Sequence, residues 1–303
     1  MARVPLEDLS PFSRRGCFER LSLGMATVEI GLDRPFSVLH ISDTHLSAAY
    51  DDEPPEKQIL SLKRTRCFGG RQEEALRDSV LWAREHVDLV VHTGDIVDWQ
   101  SRANFALVRK YAGMCPGGRM VGCAGNHEFS QSMWLGTPKE TPTEAYKDIS
   151  RETLRAELPF DPFFQASVFG GVNFVAMDNA YGTFEPDQIE RFWAERDKGL
   201  PIVLCVHVPI HDADSWRMAR HFWNWRRPKF ADAAVPPADG VFGAQLEDRA
   251  TAAFLRALRR EPLLKAVLCG HEHVGMQIPF SPTATEFVVA GNFLFVGEEI
   301  LFV

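Results

Sequence analysis

The chain has 303 residues, 45% of them hydrophobic and 24% charged, with a formal net charge of −8: the profile of a soluble globular protein long enough for one sizeable core. The acidic balance argues against long polyanions such as duplex nucleic acid, which reward a basic face. No apolar stretch approaches the roughly 18 residues of a membrane span, residues 1–24 lack the apolar core of a secretory signal, and the six cysteines contain no CxxC pair, which together point to reduced thiols and a cytoplasmic address.

The first apolar run, "FSVLHISDTH" (36–45), is rich in Val, Leu and Ile with little polar alternation, as in a strand buried on both faces. Residues 47–70, polar with a Pro pair and a Gly pair, read as a loop or short helix overhanging the strand end. A helix is predicted over 71–87, with Ala75, Leu76, Val80, Leu81 and Ala83 on one side and charges on the other. Strands follow in "VDLVVHTGD" (87–95) and "GRMVGCAGNHE" (118–128). The segment 186–199 opens on Pro and closes on Gly, the usual asymmetry of helix ends. "PIVLCVHVP" (201–209) is the fourth buried strand. Residues 211–243 carry many aromatics and arginines and then a Pro/Ala stretch, a second overhanging segment. A helix over 247–262 closes at Pro262, and "LKAVLCGHEH" (264–273) is the fifth strand. Residues 285–303 read as strands joined by turns at Gly291-Asn292 and at Gly297.

Strands alternating with helices imply a layered α/β domain with much parallel sheet. Sites in such sheets form beyond the carboxyl ends of the strands. Each of the five runs puts Asp, Asn or His at that end, so ligand-type residues arrive at one edge of the sheet. The set is Asp43, His45, Asp95, Asn126, His207, His271 and His273, with His127 alongside. Carboxylate, imidazole and amide oxygen suit Mn, Fe, Zn or Co. Seven ligands are too many for one ion and suit two, which would clamp a phosphoryl group between them. His40, His86 and His92 belong to no motif and read as structural; His211 and His221 lie in the overhanging segment and stay open.

The blocks "DTH" (43–45), "GDIVD" (94–98), "GNHE" (125–128), "VHVP" (206–209) and "GHEH" (270–273) occur in this order. Together they resemble the calcineurin-like metallophosphoesterase superfamily. The resemblance covers about residues 36–296 of a single domain spanning 1–303. It implies two mixed β-sheets packed as a sandwich and flanked by helices. It also implies two divalent ions, Mn, Fe or Zn: one held by Asp43, His45 and His273, the other by Asn126, His207 and His271, with Asp95 bridging. The two histidines of "GHEH" would then serve different ions. In such a centre a water made acidic by the cations attacks phosphorus, and His127 protonates the leaving alkoxide while Asp98 orients its ring.

The Ser/Thr phosphatases of this superfamily carry arginines after GDxxD and before GNHE. Here those positions are Trp99 and Ala124. The resemblance is therefore to the bacterial phosphodiesterase branch, and a small phosphodiester is the expected substrate. A phosphomonoesterase acting on a nucleotide or sugar phosphate is the alternative. Arg217, Arg226 and Arg227 are candidate phosphate contacts if residues 211–243 form a lid; the same segment suits an aromatic-rich interface. A non-catalytic binding role is disfavoured because every ligand position is kept.

Overall fold

The strands stop where the sequence turns polar. In the computed structural model, which describes residues 20–130, 144–210 and 248–303, each apolar run forms a strand shorter than itself and releases its polar end as a loop. The strands are β1 (Ser22–Val28), β2 (Phe36–Ile41), β3 (Leu89–His92), β4 (Val121–Gly122), β5 (Phe164–Phe169), β6 (Val172–Met177), β7 (Ile202–Cys205), β8 (Leu264–Cys269), β9 (Met276–Ser281), β10 (Ala284–Val288) and β11 (Val296–Phe302). Helices α1 (Pro55–Cys67), α2 (Gln72–His86), α3 (Arg102–Met114), α4 (Glu144–Glu157), α5 (Pro186–Arg196) and α6 (Arg249–Leu258) lie between them.

Two mixed sheets result, in the order β1-β11-β2-β3-β4 and β5-β6-β7-β8-β10-β9. In the first, β2, β3 and β4 run parallel and β11 is antiparallel to β2. In the second, β6, β7, β8 and β10 run parallel, with β5 and β9 antiparallel at the edges. The sheets face each other through Val38, Val91 and Val121 on one side and Phe174, Val203 and Leu268 on the other. Their outer faces are covered too. Leu39 and Ile41 of β2 meet Leu76 and Val80 of α2, and Leu204 of β7 meets Phe192 of α5 and Phe254 of α6. Successive residues of a strand point to opposite faces, so a strand covered on both sides must be apolar throughout. That is why these runs lack alternation.

Two expectations need correction. The five polar strand ends belong to two sheets, with β2, β3 and β4 in one and β7 and β8 in the other. Gly297 makes no turn: it pairs with Leu23 inside β11, where a side chain would press on Ile41, Leu23 and Leu39. The segment 47–70 contains the 13-residue helix α1, opened by Pro55 and closed ahead of Gly69 and Gly70. Residues 211–243, with Arg217, Arg226, Arg227, His211 and His221, lie outside the described residues.

Candidate metal centre

Beyond the strand ends the loops stay tied to one another. Asp43 N donates to Gly94 O (3.0 Å), His45 N to Asp95 O (2.9 Å) and Gly270 N to His207 O (3.0 Å). The backbone turns sharply there. Asp43, His45, Asp95, His271 and His273 all have φ between 53° and 66°, the left-handed region that costs non-glycine residues energy. Among the described residues the other non-glycine with positive φ is Phe295. A Cβ on Gly270 would collide with Ser42 and the Asp43 carboxylate; the close approach of the two loops needs glycine at that point.

The bends bring together side chains from both sheets. His273 Nε2 lies 3.2 Å from Asp43 Oδ1 and 3.1 Å from His45 Nε2. His207 Nε2 lies 3.3 Å from Asp95 Oδ2, 3.3 Å from Asn126 Oδ1 and 3.0 Å from His271 Nδ1. Asp95 Oδ2 is also 3.8 Å from His45 Nε2, so this one oxygen stands between the two clusters. The partner oxygens are already used: Asp43 Oδ2 accepts from His271 N and Asp95 Oδ1 from His127 N. Asp43, His45, His207 and Asp95 are buried, while His273 keeps a partly exposed edge.

The chemistry of this donor set fits cations. Ring nitrogens and carboxylate oxygens crowd within 4.8 Å of one another in the groups Asp43/His45/His273 and Asp95/His207/His271. Two ligands about 2.1 Å from a shared ion stand roughly 3.0–3.4 Å apart. The contacts of His207 and His273 have that spacing, and His45 stands farther from the carboxylates, 3.7 Å from Asp43 Oδ1 and 3.8 Å from Asp95 Oδ2. Asp43 Oδ1 is buried with no hydrogen-bond partner, a costly state that a cation would relieve. His207 Nδ1 is 2.7 Å from Thr93 O; the N–H donated there leaves Nε2 to act as a ligand. With protons alone, burial depresses the His207 pKa but the Asp95 carboxylate outweighs it, raising the value to about 10. A bound cation takes the place of that proton.

His127 stands beside these groups. Its Nδ1 is 2.8 Å from Asp98 Oδ1, and its Nε2 faces Asp95 Oδ2 at 4.0 Å. Asp98 Oδ1 also receives His45 Nδ1 at 3.1 Å. Burial works against the Asp98 carboxylate, yet hydrogen bonds from Arg64 and His127 hold its pKa well below the ordinary range. Burial likewise opposes the charged form of His127, but Asp95 and Asp98 raise its pKa to about 9.

Several supporting residues were not singled out from sequence. Glu128 accepts from the backbone N–H of Asp95, Ile96, Val97 and Gly125, at 2.9, 2.7, 3.2 and 2.6 Å. The fourth letter of "GNHE" was its only signal. Asn179 Oδ1 accepts from His207 N and Val208 N, and its Nδ2 donates to Val208 O, splinting the loop that carries His207. Arg64 pairs with Asp98, and Phe68 stacks on the His45 ring at 4.2 Å. Nothing in the local sequence marks these last residues. His40 and His92 pair with Thr93 and Thr44 at 3.0 and 2.9 Å, in the interior beneath the ligand loops.

A profile of the family described as calcineurin-like phosphoesterase matches residues 36–275, and the chain belongs to that family. A purple acid phosphatase from yellow lupin (Lupinus luteus) superposes with a TM-score of 0.50 at 11% identity, over 86% of this chain and 44% of the lupin chain. A dimetal phosphatase from Danio rerio gives a TM-score of 0.46 at 17% identity, over 85% of this chain and 88% of its own. No curated protein matches in sequence. Membership in the family brings a dinuclear metal requirement and phosphoester hydrolysis. Among the described residues no helix is long and apolar enough to cross a membrane.

Proposed function

We propose that this chain hydrolyses a small phosphodiester with two divalent ions, drawn from Mn, Fe and Zn. The observation that carries the reading is the position of Asp95 Oδ2, 3.3 Å from His207 on one side and 3.8 Å from His45 on the other, suited to a shared ligand. Asp43, His45 and His273 then hold one ion, and Asn126, His207 and His271 the other. Bound there, the ions lower the pKa of water toward neutrality and offset charge on phosphoryl oxygens. The chain's own groups do the rest. His127 keeps its Nδ1 on Asp98 and leaves Nε2 facing the ligand cluster, 4.0 Å from Asp95 Oδ2. As the water oxygen bonds to phosphorus and one ester P–O bond breaks, the Nε2 proton passes to the departing alkoxide, leaving an alcohol and a phosphomonoester. The proton given up by the water returns His127 to its protonated form.

Diester selectivity is supported by Trp99 and Ala124, both fully buried, where related Ser/Thr phosphatases have arginines. A singly charged diester needs less cationic help than a doubly charged monoester. Bis-p-nitrophenyl phosphate and p-nitrophenyl phosphate assayed side by side with Mn test this. The diester should be cleaved with the higher kcat/KM, and a clear monoester preference would establish the phosphatase alternative. For the acid role, His127→Ala should retain both ions and lose about 10²–10⁴-fold on poor leaving groups, with far less loss on activated aryl esters.

A further inference from the structure

We propose that Arg64, on the helix α1, is a positioning residue for the proton donor: it locks the Asp98 carboxylate in the orientation that aims His127 Nε2 at the leaving oxygen. The inference rests on the acid role given to His127 above.

Arg64 presents a two-pronged contact, Nε to Asp98 Oδ2 at 2.5 Å and Nη2 to Oδ1 at 2.8 Å. The guanidinium fork matches a carboxylate in this way and fixes its plane. Asp98 is fully buried, whereas Arg64 reaches it from the rim with 19% of its side chain exposed. Oδ1 therefore serves three donors: Arg64 Nη2, His127 Nδ1 at 2.8 Å and His45 Nδ1 at 3.1 Å. Without the fork, the carboxylate could turn about its Cβ–Cγ bond and leave one ring unserved. His127 has a competing acceptor close by, because its Nδ1 is only 3.2 Å from the carbonyl oxygen of Asp98 itself. A ring drawn to that carbonyl would swing Nε2 away from its line.

The helix that bears Arg64 is anchored to the ligand loop. Ser61 Oγ donates to Ser47 O at 2.6 Å and Thr65 Oγ1 to the same oxygen at 3.3 Å. One turn beyond Arg64, Phe68 stacks on His45 with the rings 8° from parallel, and the Arg64 guanidinium lies 5.1 Å from the Phe68 ring centre. The end of α1 thus grips His45 from its face and His127 through Asp98. Arg64 lies 34 residues before Asp98 and outside all five motif blocks.

A series of aryl phosphodiesters whose phenol leaving groups range from acidic to weakly acidic tests the assignment, with Arg64→Ala, Arg64→Lys, His127→Ala and the Arg64→Ala/His127→Ala double variant, all Mn-loaded. We expect Arg64→Ala to lose about tenfold more kcat on the least acidic phenol than on the most acidic one, in the same sense as His127→Ala. Arg64→Lys, a point charge that reaches one oxygen, should fall between. The double variant should be no slower than His127→Ala within about threefold, since both changes remove one function. Metal content should stay at the unmodified level. Equal losses across the series, losses that multiply in the double variant, or a loss that extra Mn restores would each overturn the role of Arg64. A series left unsteepened by His127→Ala overturns the acid assignment and this inference with it; steepening by His127→Ala but not by Arg64→Ala overturns the role of Arg64 alone. If Arg64→Ala does not fold, Arg64→Lys carries the same comparison.

Discussion

Asp95 stands between the two ligand clusters. One oxygen takes the His127 amide at 2.9 Å and the other faces both ligand clusters. Replacing it with Asn keeps the shape but leaves a single acceptor oxygen and removes the charge that, in the proposed assignment, lies between the cations. Asp95→Asn should bind at most one ion per chain, read by elemental analysis, and lose at least about 10²-fold in kcat, as fits removal of a metal-bridging charge. Asp43, His45, His271 and His273 share its left-handed backbone. Such conformations cost of order 1–3 kcal/mol each and persist because the loop ladder enforces them. That these residues would converge was legible in the sequence because carboxylate and imidazole side chains recur at the ends of the apolar runs. Arg64 and Phe68 were not, since an arginine and a phenylalanine near a helix end look the same whether they face solvent or a ligand.

Among the elements, the two loops after β3 and β4 meet over one carboxylate. Glu128 is fully buried and gathers four backbone N–H groups. Burial raises its pKa to about 7, with Asp95 adding to the shift. In Glu128→Gln an amide NH₂ must face donors that have nothing else to bond. The variant should lose about 3 kcal/mol of stability, visible as a lower Tm in chelated protein. The strands after which these loops emerge were readable because burial on both faces forces apolar runs. Helix α3 was not read: its N-cap, Ser101, accepts from Asn104 N at 2.9 Å, but Ser101 directly follows the polar end of a motif and looks like more of the same loop. Helix α1 stays open between loop and short helix in the sequence, because its polar composition leaves Leu60 as its one buried residue. A helix that covers a site rather than a core has little hydrophobic pattern to show.

Across the described residues, buried histidines couple stability to acidity, His40 and His92 among them. Burial holds His40 and His92 neutral, with pKa lowered to about 3 in each. In the unfolded chain both titrate near 6.5, so below that pH the unfolded state takes up protons that the folded state refuses. Stability is therefore full above pH 6.5 and falls as the pH drops toward 3, by about 1.4 kcal/mol per pH unit for each group. His127 and His207, with values raised to about 9 and 10, act in the opposite sense wherever the unfolded imidazoles lose their protons, near pH 6.5 and above. Glu128, raised to about 7, opposes His40 and His92 down to about 4.5. Below about pH 5.5 His127 and His207 are protonated in both states and add no slope. Thermal melts of chelated protein at about pH 5.5, 5.0 and 4.5 should show Tm falling, and His92→Gln should flatten the fall. Restoring metal should raise Tm at every pH, because ions that bind the folded form stabilise it by mass action.

One consequence follows from where the donors originate. Asp43, His45, Asp95 and Asn126 come from the ends of β2, β3 and β4, whereas His207, His271 and His273 come from the ends of β7 and β8. In the proposed assignment each cation is therefore a rivet driven through the seam of the sandwich, with its grip divided between the two layers. Stripping the ions should quicken amide exchange first where the layers touch at this rim, at Gly270 and His271, while β6 deep in its sheet stays shielded.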